Sequence, residues 1–151
     1  MMNKVHILFS VFLFFCCSTL TNLNECNMLE VALEKILVNK KIYTHIKSKV
    51  EKGEQVHISL TENVNCNIEN KLFITLSKAE TPKYNSNKLW VNVDERFKKK
   101  YDFIDLKKYS IQNDTIYINL FYVSKNIEIQ AKLNKNNQDE WNVNEVDLIQ
   151  F

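Results

Sequence analysis

The chain has 151 residues, with 20 lysine and arginine residues against 18 aspartate and glutamate residues and a formal net charge of +2. Arg96 is the only arginine, so the forked donor that favours phosphate and base-edge recognition is nearly absent. Together these features exclude nucleic acid from the expected partners.

The first two dozen residues have the pattern of an export signal. Lys4 precedes the short apolar segment Ile7–Phe15, and small polar residues follow it. This segment is shorter than the roughly 20 residues of a membrane-spanning helix. We therefore expect residues 1–21 to be a cleaved signal peptide and the protein to be periplasmic, on the cell surface or secreted. Lipid attachment at Cys16 or Cys17 is the alternative, and it would be the only link to a membrane.

Two cysteines, Cys26 and Cys66, lie beyond the signal. An oxidising compartment permits a disulfide between them, but the sequence leaves open whether they pair, because it does not show whether their Cα atoms lie within roughly 7 Å. The distant His45 and His57 do not complete a metal-ligand set with them. We expect neither a metal nor another cofactor.

Residues 22–151 are enough for a single domain with one core. The capping-box spacing of Asn27–Glu30, apolar residues at helical spacing up to Val50 and a stop at Gly53 predict one long helix. Alternating apolar residues then predict strands at Val56–Leu60, at Lys71–Ser77 with Leu72, Ile74 and Leu76 on one side, and at Leu89–Val93. A short helical turn is predicted over Asp94–Tyr101.

The C-terminal third has the clearest pattern of the chain. It predicts four antiparallel strands, at Phe103–Ile111, Thr115–Val123, Ile127–Leu133 and Trp141–Phe151. A bulge near Asn144 and Glu145 is needed to turn Trp141, Val143, Val146 and Leu148 to the same side. Because the chain has one glycine, we expect asparagine to take turn positions that need a left-handed backbone. The predicted fold class is α+β, a long N-terminal helix on a curved antiparallel sheet.

Three segments of the C-terminal third, Asp114–Ile118, Ala131–Lys135 and Glu140–Val143, carry a resemblance to the nuclear transport factor two-like and cystatin-like superfamily. The resemblance implies a curved antiparallel sheet wrapped around a helix, in a cone or cystatin-like arrangement. Some members are isomerases or dehydratases with an acid or a tyrosine in the pocket. Those enzymes have several helices, so one long helix implies a shallower pocket here.

The residues themselves do not form a recognisable catalytic set. The favoured interpretation is a non-catalytic exported domain that binds a protein or a small apolar ligand, with Tyr109, Tyr117, Phe121 and Trp141 as candidate pocket residues. A cone-fold lyase or isomerase is the alternative, and it would need Asp102, Asp105, Tyr117 or His57 to converge. A second alternative is an immunity-type inhibitor of a secreted toxin.

Overall fold

A computed structural model describes residues 24–61, 63–76, 80–81 and 102–151 of the protein. Within these residues, two helices precede six strands and one 3-10 turn. The helices are α1 (residues 24–37) and α2 (Lys40–Val50), and the strands are β1 (Val56–Ser59), β2 (Phe73–Leu76), β3 (Ile104–Gln112), β4 (Thr115–Tyr122), β5 (Ile127–Lys135) and β6 (Trp141–Gln150), with the 3-10 turn at Val123–Lys125.

The single long helix predicted from the sequence is wrong, because the helical conformation stops before Asn39. Asn39 has a non-helical backbone, and its side-chain oxygen accepts a hydrogen bond from the Lys41 amide at 3.1 Å, which makes it the N-cap of α2. Asparagine side chains compete in this way with helical backbone hydrogen bonds. Asn27 lies inside α1, so the predicted capping box is also wrong.

The predicted curved, all-antiparallel sheet, in a cone or cystatin-like arrangement, is wrong as well. The sheet is mixed, with the strand order β2-β1-β3-β4-β5-β6, and it is neither curved nor closed. β1 pairs in parallel with both β2 and β3, whereas β3, β4, β5 and β6 pair antiparallel. The fold is therefore α+β, with two short helices and an open sheet.

The segment between β1 and β2 explains the parallel pairing. Its Cys66 is bonded to Cys26 of α1, and Asn70 donates a hydrogen bond of 2.9 Å to Glu34 of α1. The Asn70 side-chain oxygen also accepts from the Phe73 amide at 2.9 Å, which positions the start of β2. The segment crosses to α1 before it turns into β2, where the Asn70 amide donates to the Phe73 carbonyl at 3.0 Å. Because it does not return as a hairpin onto β1, β2 begins at the same end of the sheet as β1.

The four C-terminal strands and the bulge are confirmed. Lys132 pairs with Glu145 while Leu133 pairs with Val143, so Asn144 is the extra residue of β6. The turn residues Asn113 and Asn126 have φ angles of 53° and 56°, as expected for asparagine in place of glycine. The strands extend about as far as the alternation of apolar and polar residues does in the sequence. Their inward side chains belong to one core cluster.

The helices cover one side of the sheet, which we call the core face. Apolar residues of α1, α2 and all six strands form one buried cluster there, and Leu29, Leu33, Ile36, Ile46, Val56 and Ile58 belong to it. In β2 the buried residues are Phe73 and Thr75, whereas Ile74 and Leu76 on the other side of the strand are half-buried. The predicted signal peptide with Cys16 and Cys17, the strand Leu89–Val93 and the turn Asp94–Tyr101 lie outside the described residues.

Candidate functional site

The opposite side of β3, β4, β5 and β6, which we call the outer face, carries polar side chains from every strand. Along the strands the residues alternate between the two faces, except at Lys107 of β3 and Asn144 of β6, where one extra residue shifts the register. The pairing register places the outer-face residues in three rows across the strands: Ser110, Tyr117, Lys132 and Glu145; Lys108, Asn119, Gln130 and Asp147; and Asp105, Phe121, Glu128 and Ile149.

A groove of about 290 Å³ lies across the first two rows. Besides Ile118 and Ala131, its lining has charges of both signs, two amides and one aromatic ring, from Lys108, Tyr117, Asn119, Gln130, Lys132, Glu145 and Asp147. Tyr117 is 38% exposed, an unusual position for a large aromatic residue in the middle of a strand. The Lys132 and Glu145 side chains lie 3.7 Å apart, at a loose ion-pair distance. The groove therefore offers both polar and aromatic contacts to solvent.

Asn119 is the residue of this groove whose hydrogen bonding is incomplete. Its amide nitrogen donates to Glu128 at 2.8 Å, and the Gln130 amide donates to the same carboxylate oxygen at 2.8 Å. The other side-chain atom, Asn119 Oδ1, is buried and has no hydrogen-bond partner among the described residues. Buried acceptors are normally satisfied, since an unmade hydrogen bond costs about 1–3 kcal/mol. Asn119 Oδ1 is therefore a buried acceptor, in a residue that lines the groove, whose hydrogen bond is not made by the described residues.

Asp102 lies at a second polar cluster, at the end of α2. Its carboxylate accepts hydrogen bonds from Tyr122 at 2.7 Å and Ser124 at 2.9 Å, and it pairs with the Lys49 ammonium at 2.8 Å. Burial alone would raise the pKa of Asp102, but the Lys49, Tyr122 and Ser124 hydrogen bonds and the Lys49 charge hold that pKa below its ordinary value. Burial first, and then Asp102 itself, raise the pKa of the Tyr122 hydroxyl. Every donor here is directed at one carboxylate, so the cluster fixes α2 to the sheet and is not arranged as an acid and base pair.

The residues required by the lyase or isomerase alternative are not brought together in one pocket. Asp102 is engaged in the cluster just described. His57 is exposed on β1, Asp105 pairs with Lys107 at 2.8 Å, and Tyr117 lies in the register opposite Ser110, toward the other end of β3.

The four candidate pocket residues also occupy different places. Trp141 is buried in the main core, and Phe121 belongs to a smaller apolar cluster with Phe103 and Val123. Tyr117 faces the groove of the outer face, whereas Tyr109 packs against the main core. No single cavity in the described part of the chain is lined by all four.

Tyr109 contributes instead to a cavity of about 340 Å³ beside the disulfide, which is also lined by Glu25, Asn65, Cys66 and Lys108. Its hydroxyl donates a long hydrogen bond of 3.5 Å to the Glu25 carbonyl. Burial, and then the Glu25 charge, raise the pKa of Tyr109 to about 12. At neutral pH this hydroxyl stays protonated, so the cavity is a polar recess without a reactive group.

The structure joins Cys26 and Cys66, the pairing that the sequence left open, with their Cα atoms 5.5 Å apart. A disulfide is compatible with the oxidising environment of an exported protein. Over the described ranges, no helix is long and apolar enough to cross a membrane. Nor does the described part of the chain contain a group of three or more histidine, cysteine, aspartate or glutamate residues suited to hold a metal ion.

No protein-family model matches the chain, and neither the curated proteins nor the solved structures contain a match. Function must therefore be argued from the residues of the outer face. The alternation of Glu128, Gln130 and Lys132 in the sequence already indicated a solvated side of β5. The sequence could not single out Asn119, because its unmade hydrogen bond is seen only when the neighbouring strands are in place.

Proposed function

We propose that this protein is an exported, non-catalytic domain that binds another protein through the outer face of its sheet. The observation that carries the proposal is the groove in which exposed Tyr117 stands beside Asn119 Oδ1, a buried acceptor without a partner. Tyrosine is enriched at protein interfaces because it offers a large contact area and a polar end. A partner that covers the Tyr117 ring and, by moving the side chains around Asn119, brings an N–H or O–H group to Oδ1 would satisfy the acceptor.

The charges around the groove support a protein partner in preference to a small apolar ligand. Lys108 lies at the β3 side of the groove, whereas Glu145 and Asp147 lie at the β6 side, where Lys132 of β5 pairs with Glu145. Mixed charges of this kind fix the orientation of a protein partner and speed its approach, whereas an apolar ligand would leave them without a matching group. The disulfide between Cys26 and Cys66 is suited to a domain that works outside the cell.

Site-specific crosslinking tests the proposal. A photoreactive phenylalanine analogue replaces Tyr117 in one variant, Gln130 in a second, and Val38 in a control, since Val38 is 58% exposed at the end of α1. The full chain is expressed in its native host and illuminated in place. We expect one discrete adduct of the same mass from positions 117 and 130 and none from position 38. Absence of an adduct from both outer-face positions, or equal labelling at Val38, would contradict the proposal.

A further inference from the structure

β6 forms one edge of the described sheet. It has ten residues, it pairs with β5, and no other described strand pairs with it. An edge strand of this length presents a row of backbone donors and acceptors that an added strand can use.

The pairing register shows which backbone groups of β6 point away from β5. The Phe151 amide donates to the Asn126 carbonyl at 3.2 Å. These two residues therefore form a hydrogen-bonded pair just beyond the last pair of the ladder, Ile127 with Gln150. Hydrogen-bonded and non-hydrogen-bonded pairs alternate along an antiparallel ladder. The residues whose N–H and C=O groups face the open edge are therefore Val146, Leu148 and Gln150.

An independent contact agrees with this assignment. The Lys41 ammonium of α2 donates a hydrogen bond of 2.8 Å to the Val146 carbonyl, which it reaches only if that carbonyl points away from β5. Lysine at a sheet edge is a common means of limiting strand pairing. Here it occupies a single acceptor, and it leaves the backbone groups of Leu148 and Gln150 beyond its reach along the strand.

The side chains of β6 define what an added strand would have to present. On the outer face Glu145 and Asp147 are exposed acids, and Ile149 is an exposed apolar residue at 41%. On the core face Leu148 is half-buried against the core. A matching strand would be basic opposite the acids and apolar on the side that continues the core.

We propose that the open edge of β6 binds an extended segment of another protein as a seventh strand, with basic side chains toward the outer face and apolar side chains toward the core face. This site goes beyond the proposed function because it uses the open backbone of β6 and neither the Tyr117 ring nor Asn119. The two surfaces share the acids Glu145 and Asp147, so the Gln150 variants, which lie outside the groove, distinguish a failure of the edge from a failure of the groove.

A second copy of this chain is a poorer occupant of the edge. Antiparallel pairing of β6 with itself around Val146 would set Glu145 of each copy beside Asp147 of the other and would compete with Lys41 for the Val146 carbonyl. Pairing around Leu148 would set Asp147 of each copy opposite the apolar Ile149, so neither register gives the acids a basic partner. Like charges facing each other across strands are destabilising. The charge of the edge therefore favours a basic partner over self-association.

The probe is a soluble peptide of about eight residues in which valine and lysine alternate, long enough to span the open residues of β6. Its matched control has the same length with glutamate in place of lysine. Binding to the intact, disulfide-bonded protein is measured by titration, and amide hydrogen exchange locates it. We expect the Leu148 and Gln150 amides to become protected, and the lysine peptide to bind at least about tenfold more tightly than the glutamate peptide.

Three variants separate edge pairing from general attraction. Gln150→Pro removes an N–H that the β5 ladder does not use, and it should weaken binding by about tenfold, whereas Gln150→Ala keeps the N–H and should change the affinity less than about threefold. Asp147→Lys should reverse the peptide preference even if the proline variant folds poorly. The proposal is overturned if neither peptide binds, if protection appears away from β6, if Gln150→Pro binds as the wild type does, or if the protein alone dimerises through β6.

Discussion

The Lys49 ammonium lies 2.8 Å from the Asp102 carboxylate, so the last turn of α2 is joined directly to the residue two positions before β3. Their side chains are 15% and 30% exposed, and the same carboxylate also accepts from Tyr122 and Ser124. A partly buried carboxylate with several donors is a stronger contact than a surface ion pair. This contact fixes the position of the helices over the sheet.

Lys49→Met should lower the free energy of unfolding at neutral pH by about 1–2 kcal/mol, because Asp102 then loses its charged partner but keeps two hydroxyl donors. The measurement is urea unfolding of the variant and the wild type. Lys47→Met is the control, since the pair between Lys47 and Glu51 is exposed, and it should change stability by less than about 0.5 kcal/mol. Equal effects of the two substitutions would refute the assigned role of Asp102.

The same cluster predicts an acid dependence of stability. The pKa of Asp102 in the fold lies below the ordinary value of 3.8, so its stabilisation is complete above about pH 4 and is lost as the pH falls toward the folded-state pKa. Asp102→Asn removes this titration. We therefore expect the stability difference between the wild type and Asp102→Asn to shrink between about pH 4 and pH 2 in urea titrations. A difference that stayed constant over that range would contradict the assignment.

The disulfide between Cys26 and Cys66 spans a sequence separation of 40 residues and links α1 to the segment before β2. Reduction should lower the free energy of unfolding by about 3–4 kcal/mol in the chain-entropy model. Urea unfolding with and without a thiol reductant measures this loss. The Cys26→Ser, Cys66→Ser double variant is the control, because its stability should match that of the reduced wild type and should not respond to the reductant.

Because Asn144 is the extra residue of the β6 bulge, β6 should tolerate its deletion. Removal of Asn144 leaves Val143 inward, Glu145 outward and Val146 inward, which is the regular alternation of a strand. We expect the deletion variant to fold with a loss of less than about 2 kcal/mol. Removal of Asp147 instead turns Leu148 and the following residues to the opposite face, and it should be far more destabilising in a thermal unfolding experiment. A larger loss from the Asn144 deletion would contradict the register.

The sequence predicted the C-terminal half of the sheet well, because alternation in the Ile127–Leu133 segment and paired turn residues are local signals. It failed where distant residues decide the outcome. The parallel pairing of β1 depends on Asn70 and Cys66 contacting α1, and the break at Asn39 depends on one side-chain hydrogen bond within an otherwise helical pattern. The only sign of the outer face in the sequence was the alternation of polar residues along β5.

Asn119 gives a test of the groove that needs no partner. Asn119→Leu removes a buried acceptor without a hydrogen bond, together with one donor to Glu128, so the free energy of unfolding should change by less than about 1 kcal/mol. Asn134→Leu is the matched control on the same face, where the amide bonds both Thr115 and Asn144, and it should be more destabilising. A greater loss from Asn119→Leu would indicate that Asn119 is kept for stability and not for binding.

Competition measures the central claim most directly. Unlabelled wild-type protein, Tyr117→Ala and Val38→Ala are each added to the crosslinking reaction of the variant labelled at position 130, and the yield of the adduct is followed against competitor concentration. Wild type and Val38→Ala should suppress the adduct equally, whereas Tyr117→Ala should need at least about fivefold more protein, since truncation of a central interface tyrosine costs more than about 1 kcal/mol. Equal suppression by all three proteins would contradict recognition through the outer face.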